Sequence, residues 1–414
     1  MLDYLSRALV LSYSCAVLVY GPRLRSSHAL LVAALLTPGV SAAASMGKCL
    51  GGVDVTGTSG QAQVIRNTGC SDCPWPVSAP AEVTSAGEVL MKLTAGRPGG
   101  SKSRDGSRVY LGAPGGTCAT TAYNHSEYAA LQLLGKTLSF DVNLSAASCG
   151  CNVAFYLVAM AQNTAVGNCD GDYYCDANNV CNVRCVEIDI MEANRHAFHT
   201  TAHTANDGGG SGAGLGGGER SFTKAEYGLG GSKVDTTQPF SVHTFFQASG
   251  DSLGGLEVTL QQPGKTTIQF SASNSGYLSS LSSAVRAGLT PVMSYWSSDA
   301  MRWLDSTYYP DPYDGSGADP CPWDAAGAAG YPANDNQDTC GEHASFSGFG
   351  VTQGRLVAST KVVEGGDDET APKALPKAVP KAVPKAVPKA AALGSKADSL
   401  ATAWASAAPR VAVA

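Results

Sequence analysis

Glu187, Asp189 and Glu192 place three carboxylates within six residues of a stretch that otherwise has the composition of a buried β-strand. In Val186-Glu187-Ile188-Asp189-Ile190-Met191-Glu192-Ala193-Asn194, Ile188 and Ile190 alternate with Glu187 and Asp189, so one face is apolar and the other acidic. Each carboxylate must lose water and repel its neighbours, a cost that a purely structural strand has little reason to carry. Glu192 has the wrong parity for the acidic face, and a single β-bulge between Asp189 and Glu192 would return it there. Five residues of extended chain span roughly 16 Å. Two glutamate side chains leaning together, with the bulge and the strand twist, close much of that gap. A carboxylate that attacks a sugar and a carboxylic acid that protonates the leaving oxygen, about 5–5.5 Å apart, are what retaining glycoside cleavage needs. A solvated edge strand or a calcium site uses the same residue types and is the alternative.

The rest of the chain reads as all-β. Charged residues make up 15% of its 414 residues, 48 are glycine, and strand-like runs alternate with Gly/Ser/Asn turns, which favours a large sandwich or barrel. Leu138, Phe140, Val142 and Leu144 alternate with polar residues as in a half-exposed strand, while residues 152–160 are uniformly apolar except for Asn152 and the Tyr156 phenol. Residues 256–260 and 266–270 flank a Gln-Gln-Pro-Gly-Lys turn and predict a hairpin. The pattern predicts one helix, over 278–287 with Gly288 as its stop, and a glycine-rich loop over 207–231. A net charge of -6 argues against a nucleic-acid partner.

Residues 1–44 carry Arg23 and Arg25, a short apolar run and the small residues Val40-Ser41-Ala42-Ala43-Ala44, the parts of a secretory signal, and no stable membrane span is expected. Residues 45–364 form the expected catalytic domain, and 365–414 open on a Pro-Lys-Ala repeat that favours a disordered tail. Apart from Cys15 there are twelve cysteines, which in an oxidising compartment read as up to six disulfides of open pairing. Zinc is the rival at Cys70/Cys73 and Cys181/Cys185. Sequons at Asn124 and Asn143 agree with secretion.

Five separated motifs make the resemblance specific. Glu187 to Asn194 reads Glu-x-Asp-x-x-Glu-Ala-Asn; residues 149–156 read Cys-Gly-Cys-Asn-Val-Ala-Phe-Tyr; Tyr174-Cys175-Asp176 is a turn; His203 lies eleven residues after Glu192. Met293-Ser294-Tyr295-Trp296 precedes Met301-Arg302-Trp303-Leu304-Asp305-Ser306-Thr307-Tyr308. In this order they resemble glycoside hydrolase family 7, the secreted cellobiohydrolases and endoglucanases. The resemblance implies a concanavalin-like β-sandwich (jelly roll) of two packed antiparallel sheets with a substrate cleft on the concave face. It implies Glu187 as nucleophile, Asp189 as its tuning partner and Glu192 as acid/base. It also implies sugar contacts from Asn152, Tyr156, Tyr174, Asp176, His203, Trp296 and Trp303, and less specifically from Arg108.

The expected protein is therefore a secreted, monomeric, retaining β-1,4-glucanase acting on cellulose and cello-oligosaccharides without a cofactor or metal. Several features depart from the family pattern. Met191 stands for the usual Trp, the Trp296–Trp303 interval is two residues shorter, and Ala318-Asp319-Pro320 precedes Cys321 where the family carries an Arg. The insert between Tyr174 and Glu187 is reduced, and a glycine run follows His203. Such loops roof the tunnel of processive members, so their reduction implies an open cleft and endo-type attack. The hexapeptide Glu-Ile-Asp-Ile-Met-Glu alone is equally similar to family 16 β-1,3(4)-glucanases; the Asn152/Tyr156 strand and the Trp303 run favour family 7. A glucan-binding sandwich without turnover, and a metal site at His196, His199 and His203, are the remaining alternatives.

Overall fold

Alternation along five neighbouring strands sets the architecture. On Cys151–Val158 the residues Cys151, Val153, Phe155 and Leu157 join the main apolar core, and Asn152, Ala154 and Tyr156 point the other way. Val109 and Leu111, Met293 and Tyr295, Ile188 and Ile190, and Phe198 and Ala202 continue the inward set on Ser107–Leu111, Thr290–Ser297, Glu187–Ala193 and Phe198–His203. All five strands lie in one antiparallel sheet. Its order is Cys49–Asp54, Gln61–Arg66, Ser107–Leu111, Thr290–Ser297, Cys151–Val158, Glu187–Ala193, Phe198–His203, Ser211–Gly216 and Glu219–Arg220. The second sheet, also antiparallel, runs Ile268–Ala272, Ser252–Gln261, Phe240–Ser249, Lys136–Asn143, His343–Gln353, Val89–Lys92 and Ala81–Val83. This computed structural model describes residues 48–67, 79–93, 106–118, 123–169, 172–216, 219–272, 274–298, 301–305 and 340–356.

The inner faces of the two sheets interdigitate as in a β-sandwich. Phe140 from the second sheet stacks on Phe155 from the first, centroids 4.1 Å apart, and Phe346 packs on both. The Cys151–Cys340 disulfide ties the start of the central strand to the chain just before His343–Gln353. The remaining described pairs are Cys49–Cys118, Cys169–Cys181 and Cys175–Cys185. Cys181 and Cys185 are thus bonded to separate partners, which removes them as a zinc pair.

The bulge lies where side-chain parity requires it. Asp189 pairs with Thr201 and Glu192 with His199, so Ile190 and Met191 together face Thr200 alone. The opposite neighbour shows the same shift, Tyr156 pairing with Asp189 but Phe155 with Met191. Ile190 and Met191 are both fully buried in the core, and Thr200 Oγ1 donates to the Ile190 carbonyl at 2.8 Å. Met191 is thereby explained: two consecutive inward side chains are what the bulge produces, and an unbranched thioether fills the second position.

Three expectations are corrected. The helix over 278–287 is two short helices, Ser275–Ser279 and Ser282–Ala287, with Gly288 closing the second at φ 106. Ser280 and Ser282 hydroxyls donate to the carbonyls of Tyr277 and Ser279, the local competition with helical bonding that serines introduce. A third helix, Arg302–Asp305, carries Trp303. Residues 207–231 are not a loop throughout: Ser211–Gly216 pairs with Phe198–His203 and continues the sheet into Glu219–Arg220, while Tyr227–Gly228 pairs in parallel with Val234–Asp235. Glycine is required there by close approach, since a Cβ on Gly214 would lie 2.1 Å from the Phe198 carbonyl oxygen. The signal at 1–44, the tail at 365–414, Cys70, Cys73, Cys321, residues 306–308 and residues 318–320 lie outside the described residues.

Thr200→Val keeps shape but removes the hydroxyl's bond to a buried carbonyl, so unfolding free energy should fall by about 1–3 kcal/mol. Because the lost bond pins the bulge, glucanase activity measured well below the melting temperature should fall too. Equal stability and activity in the variant would show that Thr200 does not hold the bulge.

Candidate active site

The outward face of the five strands collects nearly every residue singled out from sequence. In cross-strand register, Glu192 neighbours Ala154, Ser294 and Arg108, and Asp189 neighbours Tyr156, Val292 and Tyr110. Asn152 and Trp296 lie one step beyond Glu192. Small side chains at 154 and 294 leave space beside Glu192. Glu187 and Asp189 are each 6% exposed and Glu192 is half-buried.

Each carboxylate has a distinct partner. Glu187 Oε2 accepts the backbone N–H of Ala177 at 3.0 Å. That amide follows the Tyr174-Cys175-Asp176 turn, which the Cys175–Cys185 disulfide staples to the chain two residues before Glu187. Asp189 Oδ2 lies 2.9 Å from His203 Nε2. Glu192 Oε1 accepts from Asn152 Nδ2 at 2.8 Å, and Asn152 Oδ1 has no partner among the described residues.

Crowding of like charge sets the protonation of the site. Burial, then Asp189 and Asp176, push Glu187 well above the usual carboxylate range. Burial, then Asp189, raise Glu192 to about 8. Burial also raises Asp176, whose Oδ1 accepts the Val180 N–H. Carboxylates this close cannot all ionise, so the group retains a proton at neutral pH. His203 supplies the compensating charge. Burial opposes its protonation, but the hydrogen bond and charge of Asp189 outweigh this and raise it to about 9.

Arg108 is 6% exposed, as Glu187 is. Its guanidinium lies 3.8 Å over the Tyr174 ring and contacts the sulfurs of Cys169 and Cys181. Tyr156 and Tyr174 hydroxyls bond each other at 2.9 Å, and burial keeps both phenols neutral. At the other end of the face Trp296 and Trp303 stack, centroids 6.4 Å apart and planes 27° from parallel, with Trp303 41% exposed. Aromatic faces so presented suit the apolar face of a sugar ring.

The three histidines do not converge. His199 and His203 stand on the strand Phe198–His203, with His199 Nε2 against the Gly216 carbonyl; His196 lies in the preceding turn against Ser148. Burial lowers His196 and His199 to about 4, leaving them neutral. No cluster of metal-ligating residues occurs among the described residues.

Two positioning residues escaped the sequence reading. Asp305 is fully buried and accepts from Gly150 N at 2.6 Å and Asn194 Nδ2 at 2.5 Å. It joins the Trp303 helix, the start of the central strand and the end of Glu187–Ala193. Asn194 and Asp305 both stand inside the family patterns, but a separation of 111 residues hides their pairing.

Comparison with known proteins agrees with this geometry. The model of glycosyl hydrolase family 7 matches residues 77–184, ending just before the carboxylate strand. Endoglucanase EG-1 of Hypocrea jecorina is 30% identical over 338 residues, covering 72% of this chain and 67% of the relative. That of Trichoderma longibrachiatum is 28% identical over 334 residues, covering 72% and 66%. The chain thus spans about two thirds of the length of these curated relatives. In fold it is similar to a family 7 cellobiohydrolase from Daphnia pulex, with a TM-score of 0.54, 19% identity, and 75% of this chain and 98% of that one covered. The carboxylate strand, its two-sheet scaffold and the extended alignment lead to one conclusion: the chain belongs to glycosyl hydrolase family 7.

Proposed function

We propose that the protein is a secreted, retaining β-1,4-glucanase that cleaves cellulose and cello-oligosaccharides with Glu187 as nucleophile and Glu192 as acid/base. The observation that carries this reading is the bulged strand that turns Glu187, Asp189 and Glu192 to one face, each with a different partner. Glu187 Oε2 is held by the Ala177 amide, which leaves Oε1 to attack the anomeric carbon. Glu192 Oε1 is held by Asn152, which leaves Oε2 to carry the proton delivered to the departing glycosidic oxygen. The first displacement forms a glycosyl ester on Glu187 and releases the shortened glucan. Glu192, now a carboxylate, removes a proton from water, whose oxygen attacks the same carbon and frees Glu187. Asp189, paired with His203, holds negative charge beside Glu187. Trp296 and Trp303 floor the cleft on the Glu192 side. No step requires a metal or cofactor.

Secretion is supported by four disulfides among the described residues and by the signal-like residues 1–44; no described helix is long and apolar enough to cross a membrane. Endo-type attack is supported by the glycine-rich stretch after His203, which joins the sheet beside the site. The enzyme acts as a monomer in this reading.

Hydrolysis of carboxymethyl cellulose, barley mixed-linkage glucan and laminarin tests the substrate. The β-1,4 reading expects activity on the first two and a rapid fall in viscosity; preference for laminarin would replace it with a family 16-like β-1,3(4)-glucanase. Glu187→Gln should abolish turnover while leaving glucan binding largely intact, and unchanged turnover would reject the nucleophile.

The pH profile follows from Glu192. A carboxyl raised to about 8 stays protonated below that pH and loses its proton above it. Since the acid form is required, kcat/KM for a soluble cello-oligosaccharide should fall as pH rises through about 8. A basic limb that persists unchanged in residual Glu192→Gln activity would contradict the assignment.

A further inference from the structure

His203 is gripped at both ring nitrogens. Nε2 meets the Asp189 carboxylate at 2.9 Å and Nδ1 meets the Asp207 carbonyl oxygen at 3.0 Å. A carbonyl only accepts, so Nδ1 carries hydrogen; an ionised carboxylate only accepts, so Nε2 carries one as well. The ring is then an imidazolium, provided that the Asp207 carbonyl is held in place.

The turn that presents this carbonyl is built around the Asp207 side chain. Its Oδ1 accepts from Gly209 N at 3.0 Å and Gly210 N at 3.2 Å, and Asp207 N donates to the Thr204 carbonyl. Its Oδ2 accepts from the Tyr277 hydroxyl at 2.8 Å, and the Tyr277 hydroxyl oxygen in turn accepts from Thr204 N at 3.1 Å. Tyr277 belongs to the helix Ser275–Ser279, which packs against Ser252–Gln261 of the other sheet. Gly210 closes the turn at φ +65, where a Cβ would lie 2.5 Å from His203 Nδ1.

We propose that Tyr277 and Asp207 form a latch, anchored outside the carboxylate sheet, that positions His203 as the doubly hydrogen-bonded cation partner of Asp189. Tyr277 touches no carboxylate of the catalytic set and is a positioning residue. The charged groups facing His203 are Glu187, Asp189 and Glu192 on the neighbouring strand and Asp207 in the turn, whose side chain Tyr277 holds. Ser211–Gly216, on the far side, carries no titratable side chain. A loosened turn weakens both bonds to the imidazolium, and the negative charge beside Glu187 loses its compensation.

This role in catalysis rests on the glucanase reading; the protonation of His203 does not. In the full chain, Tyr277→Phe removes one hydroxyl while keeping the ring. Nitrogen NMR of the His203 imidazole should show its titration midpoint, near pH 9 in the parent, fall by at least about half a unit. On a soluble cello-oligosaccharide kcat should fall several-fold with KM within about twofold, because the glucan floor is untouched. Asp207→Asn, which keeps the turn's size, should shift the midpoint in the same direction. An unmoved midpoint in both variants overturns the latch, whatever happens to the melting temperature. A lowered midpoint with unchanged kcat confines it to protonation and removes its catalytic consequence. Should Glu187→Gln retain turnover, the glucanase reading fails while the midpoint still decides the latch.

Discussion

A strand offers alternate residues to its two faces, and five is an odd number. Glu187 and Glu192 can share a face only if one residue between them is absorbed, and the bulge at Ile190 and Met191 does this on both sides at once. The rest of the site depends on that shift. Remove it, and Glu192 would turn into a core filled by Phe140, Phe155 and Phe346, where an unpaired carboxyl costs several kcal/mol. The apolar side of the bulge is equally constrained: two successive side chains must enter the core together, and Thr200 Oγ1 bonds the Ile190 carbonyl between them.

Bringing the carboxylates together creates an electrostatic problem that the surroundings answer in three ways. Ala177 offers a backbone amide, Asn152 a side-chain amide and His203 a full positive charge. Each comes from a different element: a disulfide-braced turn, the central strand and the next strand out. The partners of Glu187 and Glu192 are neutral amides, and the one cationic partner, His203, faces Asp189. Retaining chemistry needs one glutamate ionised to attack and the other protonated, and the crowded group keeps a proton for Glu192.

Much of this was legible in the sequence because alternation and parity are local. The acidic face, the need for a bulge, the central strand with Asn152 and Tyr156, and the hairpin of Ser252–Gln261 with Ile268–Ala272 all follow from spacing. The five motifs in family order gave the fold and the family, which spacing alone left open. What stayed hidden was non-local or looked like nothing. The glycines of Ser211–Gly216 carry no side-chain pattern; their cause is the neighbours' backbone and, at Gly216, the Ala197 side chain and the His199 ring. Asp305 binding Gly150 and Asn194 joins residues far apart in the chain. The contacts of the Arg108 guanidinium with Tyr174 and the Cys169–Cys181 sulfurs are likewise visible only once the turn is folded.

The central claim is that Glu187 becomes covalently attached to the substrate. Reaction with a 2-deoxy-2-fluoro cellobioside bearing a good leaving group slows breakdown of the glycosyl-enzyme, so that proteolysis and mass spectrometry can locate the sugar. The account predicts a cellobiosyl adduct on the peptide containing residues 186–194, with fragmentation placing it on Glu187. An adduct on Glu192, or rapid turnover of this reagent by Glu187→Gln with no adduct on either glutamate, would contradict it.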